Sequence, residues 1–119
     1  MLDQRIRVLT LSGELDLPTE RRLRADLSEI AGDRSRELVI DLRGVTFIDS
    51  SGLAVLVHTQ QQLERQGRAL GCVVRGGPVE RLLEDTGLAN TLPVFDSLEA
   101  AADEVLRAAP EPADDPEPA

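Results

Sequence analysis

Leu38-Val39-Ile40-Asp41-Leu42-Arg43-Gly44-Val45-Thr46-Phe47-Ile48-Asp49-Ser50-Ser51-Gly52-Leu53 runs from an apolar segment into a cluster of small polar residues, and its reading decides the fold. Leu38 to Leu42 is nearly unbroken apolar with two β-branched residues, which predicts a strand buried on both faces. Arg43-Gly44 reads as a turn and Val45 to Ile48 as a short extended piece. Asp49-Ser50-Ser51-Gly52 then opens a helix to about Gln66, with Leu53, Leu56, Val57 and Leu63 on its inner face and Gly67 as its stop.

Outward from that stretch, strands and helices alternate. Ile6, Val8 and Leu9 to Leu11 predict a first strand, ended by Ser12-Gly13. Leu23, Leu27 and Ile30 share one helical face, with Pro18 in the first turn and Asp16 or Thr19 as the cap. Ala69 to Val74 reads as a third strand. Gly76-Gly77-Pro78 opens a short helix carrying Val79, Leu82 and Leu83, closed by Gly87. Leu92 to Phe95, with Pro93 inside it, suits an edge strand. Asp96-Ser97 caps a last helix with Leu98, Ala101, Ala102 and Val105 on one side. The order β-α-β-α-β-α-β-α predicts an α/β fold: a small, mainly parallel four-stranded sheet with helical cover.

The chain has 119 residues, which suits one domain, expected over residues 1–109. Pro110 to Ala119 holds four prolines, four acids and no base, and is expected to be a disordered tail. Net charge is −9, and about −5 without that tail. All 13 basic residues are arginine, which removes Schiff-base chemistry, a phosphate-loop lysine and the lysine of a receiver domain. The acidic balance and two lone phenylalanines argue against nucleic-acid binding. Cys72 supports neither an intrachain disulfide nor a thiolate metal site by itself. The amino terminus has no apolar run of signal-peptide length and no stretch is long enough to span a membrane, so the expectation is a soluble cytoplasmic protein with no cofactor and no metal.

Chemistry concentrates at Asp49-Ser50-Ser51-Gly52. Sites in parallel sheets gather at the carboxyl ends of strands. A helix start offers unpaired N–H groups and a partial positive charge that favour a phosphate. Two hydroxyls stand there, and Gly52 is expected to keep the backbone bare for a visiting active site. The plain alternative is a cap and a turn with no chemistry. A serine nucleophile lacks a base: His58 lies eight residues along the helix, about 12 Å away. Asp49 as a phospho-acceptor lacks both lysine and an acidic pair, since Asp16 has only Glu14 near it. Gly76-Gly77-Pro78 lacks the spacing of a phosphate loop, and Arg21, Arg22 and Arg24 read as a solvated face.

Three stretches carry a resemblance. They are Leu11-Ser12-Gly13-Glu14-Leu15-Asp16, Leu38 through Leu53, and Glu84-Asp85-Thr86-Gly87-Leu88. In that order and spacing, over about residues 5 to 107, the chain resembles the STAS domain of anti-sigma factor antagonists, the SpoIIAA-like proteins. The resemblance implies a binding protein and not an enzyme. It implies that Ser50 is phosphorylated by an anti-sigma factor with serine kinase activity and dephosphorylated by a serine phosphatase. The unphosphorylated domain would bind the anti-sigma factor and free the sigma factor, and Asp16, Thr19, Asp49, Ser51, Gly52 and Leu53 would line the contact surface. The alternative within the same resemblance is an unphosphorylated STAS interaction module in a stress-sensing or transport assembly. Neither reading fixes the oligomeric state.

Overall fold

The strand through the buried run is the centre of the sheet. In the computed structural model, which describes residues 4–33 and 36–108, β2 spans Glu37–Ile48. It lies between β1 (Ile6–Leu15) and β3 (Leu70–Val73), and β4 (Val94–Phe95) completes the order β1-β2-β3-β4 with every pairing parallel. The expected tail at 110–119 lies outside the described residues.

Parallel strands need crossovers, and the helices supply them. They are α1 (Glu20–Ala31), α2 (Ser50–Arg65) and α3 (Gly77–Thr86), and α4 (Leu98–Ala108) follows the last strand. The alternation of β2 divides the core. Leu38, Ile40 and Leu42 pack with Leu23, Leu27 and Ile30 of α1, Leu53, Leu56 and Leu63 of α2, and Val79 and Leu83 of α3. Val39 packs on the opposite face with Ile6, Val73, Ala101, Ala102 and Val105, so α4 covers that side. Gly71 lets α4 come close, since a Cβ there would stand 3.2 Å from Val105 Cγ1 and 3.3 Å from Ala101 Cβ.

Several element boundaries differ from the sequence reading. Arg43-Gly44 is not a turn, and Ser12-Gly13 does not end β1. Both strands run through these positions because they pair with each other. The register slips between Thr10 and Ser12 and again between Gly13 and Glu14, with β2 using the extra residue each time. These bulges keep two long strands paired while turning the β2 end toward α2. Before α1 the chain makes a 3-10 turn, Leu17–Thr19, capped by Asp16, so Asp16 caps that turn and not α1 itself. Pro93 precedes β4, which is shorter than expected and sits at the sheet edge.

Candidate functional site

β2 ends at Ile48 and α2 starts at Ser50, so Asp49 is the whole connection. Its backbone is extended, at φ −118° and ψ −173°, as an N-cap requires. Asp49 Oδ1 accepts from the N–H of Ser51 at 2.9 Å and of Gly52 at 3.2 Å. Its Oδ2 reaches across to the preceding connection and accepts from the Leu17 N–H at 3.3 Å. The Asp49 N–H donates to the Leu15 carbonyl at 3.2 Å. One residue therefore fastens the start of α2 to the end of β1 and to the turn that follows it.

That turn is locked from inside. The Asp16 N–H donates to Thr19 Oγ1 at 2.9 Å, and Asp16 Oδ1 accepts from the Thr19 N–H at 3.2 Å. The Thr19 hydroxyl also lies 3.0 Å from Asp16 Oδ1 and 3.1 Å from the carbonyls of Glu14 and Asp16, any one of which can accept its hydrogen bond. Asp16, Thr19, Asp49 and Ser51 are thus brought to one junction at the carboxyl ends of β1 and β2, each half-buried. Ser50 is the exposed member. Among the described residues its hydroxyl has no hydrogen-bond partner.

Gly52 corrects the expectation that its bare backbone opens outward. It is buried, and a Cβ there would stand 2.3 Å from the Leu15 carbonyl oxygen and 2.8 Å from Leu15 Cβ. The missing side chain lets α2 dock on β1. Leu53 is likewise 3 % exposed and packed in the core. Both position the site, and neither presents a large surface.

Sequence reasoning missed the apolar surroundings. Leu17 is 65 % exposed and Phe47 49 % exposed, and both sit beside Asp49: Leu17 through its N–H, Phe47 two residues before it. Ser50 also borders a groove of about 390 Å³ that opens between α2 and the residues ending α3. Ser50, Leu53, Ala54, Val57, His58 and Gln61 line it from α2, and Thr86 and Leu88 from across. Gly87, at φ +75°, turns the chain so that the Leu88 N–H donates to the Leu83 carbonyl at 3.0 Å, folding Leu88 back toward α2. The sequence signal was present in the Thr86-Gly87-Leu88 run and in Val57, which is only partly buried.

The remaining ionisable chemistry is structural. The Arg43 guanidinium, hydrogen-bonded to Asp41, holds that carboxyl below its ordinary range, with burial opposing. Cys72 is fully buried, and desolvation pushes its thiol up to about 12, which leaves it unreactive at neutral pH. Among the described residues no group of three His, Cys, Asp or Glu could hold a metal ion, and no helix is long and apolar enough to cross a membrane.

A parallel α/β domain of this kind is found in known proteins. The family model described as STAS domain matches residues 2–101. The chain belongs to the STAS domain family. It is 35 % identical over 96 residues to the anti-sigma-F factor antagonist RsfB of Mycobacterium tuberculosis, a match covering 81 % of this chain and 78 % of RsfB. It is 33 % identical over 91 residues to the anti-sigma F factor antagonist of Paenibacillus polymyxa, covering 76 % and 78 % of the two chains. An anti-sigma factor antagonist from Mycobacterium paratuberculosis superposes with a TM-score of 0.79 at 33 % identity, covering 87 % of this chain and 88 % of that one. STAS relatives with these names are regulatory binding proteins, and this chain is of that kind and not an enzyme.

Proposed function

We propose that this chain is an anti-sigma factor antagonist switched by phosphorylation at Ser50. Unmodified, it binds an anti-sigma factor with serine kinase activity and so releases the sigma factor for transcription. The kinase transfers the γ-phosphoryl group of ATP to Ser50 Oγ, ADP leaves, and the hydroxyl proton passes to a base on the kinase. A serine phosphatase hydrolyses the ester and restores the hydroxyl. The contact surface comprises Asp16, Thr19, Asp49 and Ser51 around Ser50, with Gly52 and Leu53 holding it in place.

The observation that carries this reading is the exposed hydroxyl of Ser50 on the first residue of α2, which has no hydrogen-bond partner among the described residues. The capping arrangement also explains why modification need not disturb the fold. Asp49 already takes the N–H groups of Ser51 and Gly52. A phosphate on Ser50 therefore projects into solvent instead of replacing the cap. It adds about −1.5 to −2 charges next to the Asp49 carboxylate, with the helix dipole offsetting part of the repulsion. A partner seated there meets new bulk and a charge it must desolvate. A penalty of ~3 kcal/mol is already more than a hundredfold in affinity.

The test is to incubate the chain with ATP and the anti-sigma factor kinase of its own genome and to map the product by mass spectrometry. One phosphate on Ser50 is expected, and Ser50→Ala is expected to block its addition while still binding the kinase. Phosphate found only at other surface positions would sink the proposal.

A further inference from the structure

We infer that the groove between α2 and the residues ending α3 is the anchoring pocket for the kinase that visits Ser50, and that it takes an uncharged aliphatic segment of that partner. The inference rests on the reading of Ser50 given above and deepens it by naming what the partner must bring.

Continuity is the first argument. Ser50 is itself part of the groove wall, and Ala54, Val57 and His58 follow it at the spacing of a single helical stripe. A protein whose active site covers Ser50 must lie over the first turns of α2, where the groove begins. Its size is the second. About 390 Å³ falls within the roughly 300–1,000 Å³ of sites that enclose a whole small organic ligand. Several aliphatic side chains fit, as when one face of a helix lies in a groove.

Composition decides the occupant's chemistry. Charged residues make up 29 % of the chain, yet no Asp, Glu or Arg lines this groove. A basic or acidic segment would meet no opposite charge from Asp, Glu or Arg there, only the polar groups of Ser50, His58, Gln61 and Thr86, whereas an aliphatic one buries apolar surface against Leu53, Val57 and Leu88. The groove is also open surface and not a packing fault, because Ala54 and His58 on its wall are exposed. Phosphorylation then acts at its mouth. The phosphate on Ser50 adds a full charge to a wall that no Asp, Glu or Arg lines, and an aliphatic occupant would have to strip water from it without compensation.

The experiment measures binding of the unphosphorylated chain to the anti-sigma factor kinase of its own genome, with Ala54→Glu and, further along the stripe, His58→Glu. Both positions are exposed, so thermal melting should match the parent. Each variant is expected to bind at least tenfold more weakly and to accept phosphate on Ser50 correspondingly more slowly. If the parent binds and both variants bind within twofold of it, the groove is not the anchor, while the reading of Ser50 stands. If gel filtration shows a parent dimer that Ala54→Glu dissociates, with kinase binding undiminished, the groove is a self-interface and the inference is overturned. If the parent neither binds the kinase nor takes phosphate on Ser50, the reading of Ser50 fails and the inference falls with it.

Discussion

Two helices start at the same end of the sheet, α2 after β2 and α3 after β3, and they start differently. α2 begins on a carboxylate that accepts two of its first N–H groups. α3 begins on Gly76, at φ +63°, with no side-chain cap; the Gly76 N–H instead donates to Glu80 Oε1 at 3.0 Å. Both carry the positive end of a helix dipole, so the dipole does not distinguish them. What distinguishes α2 is what surrounds its first turn: an exposed hydroxyl, exposed Leu17 and Phe47, and a groove that no Asp, Glu or Arg lines. On the reading proposed above, a helix start becomes a recognition surface through its neighbours; the α3 start lies instead between exposed Arg75 and Glu80.

The sharpest way to break this comparison is through glycine. Gly52→Ala forces a Cβ against the Leu15 backbone carbonyl, which cannot yield as a flexible side chain would. A loss of about 3 kcal/mol or more is expected, read as a lower urea midpoint. Next in size is Asp49→Ala, which removes the cap of α2 and the tie to Leu17 together. It should cost about 2 kcal/mol and speed amide hydrogen exchange at Leu17 and Gly52 in parallel, while Asp49→Asn recovers most of the loss. Gly77→Ala in α3 is smaller. Its Cβ would meet nothing within 4 Å, and only the backbone at φ +82° resists, for about 1 kcal/mol. If Gly77→Ala cost as much as Gly52→Ala, the tight docking of α2 on β1 would not be what sets the two starts apart.

The same contrast explains what could be read in advance. The β2–α2 junction was legible because an apolar run, a capping residue and a helical stripe are all local signals. The bulged pairing of β1 with β2 was not, because Arg43-Gly44 has the composition of a turn and only a neighbouring strand keeps it extended. The role of Gly52 was misread for a related reason: its constraint is the Leu15 carbonyl, a tertiary contact no local pattern reveals. The groove needed Val57 and Leu88 to be brought together by the left-handed turn at Gly87. Each half was visible as an apolar position, but their meeting was not.

Asp41, a carboxylate within β2, provides the smallest and most discriminating contrast with Asp49, which follows that strand. Asp41, 7 % exposed, accepts from Arg43 Nε at 2.9 Å, Nη2 at 2.8 Å and N–H at 3.1 Å, on the α4 side of the sheet. Because the hydrogen-bonded Arg43 lowers its pKa in the folded chain, ionised Asp41 contributes stability above the unfolded-state value near 3.8. That contribution is lost as pH falls through the lower folded value. Asp41→Asn should therefore cost no more than about 1 kcal/mol at pH 7, since Arg43 stays partly solvated. The gap between parent and variant should close on acidification below pH 3.8. Urea titrations at neutral and acid pH measure this directly. A gap that persisted in acid would mean that Asn disturbs packing and that charge is not the cause. Phosphorylation of Ser50 in the same variant should match the parent, because Asp41 neither caps α2 nor lines the groove beside it. A large loss there would mean that the opposite face of the sheet controls the junction, and the separation drawn between a carboxylate that starts a helix and one that sits within a strand would fail.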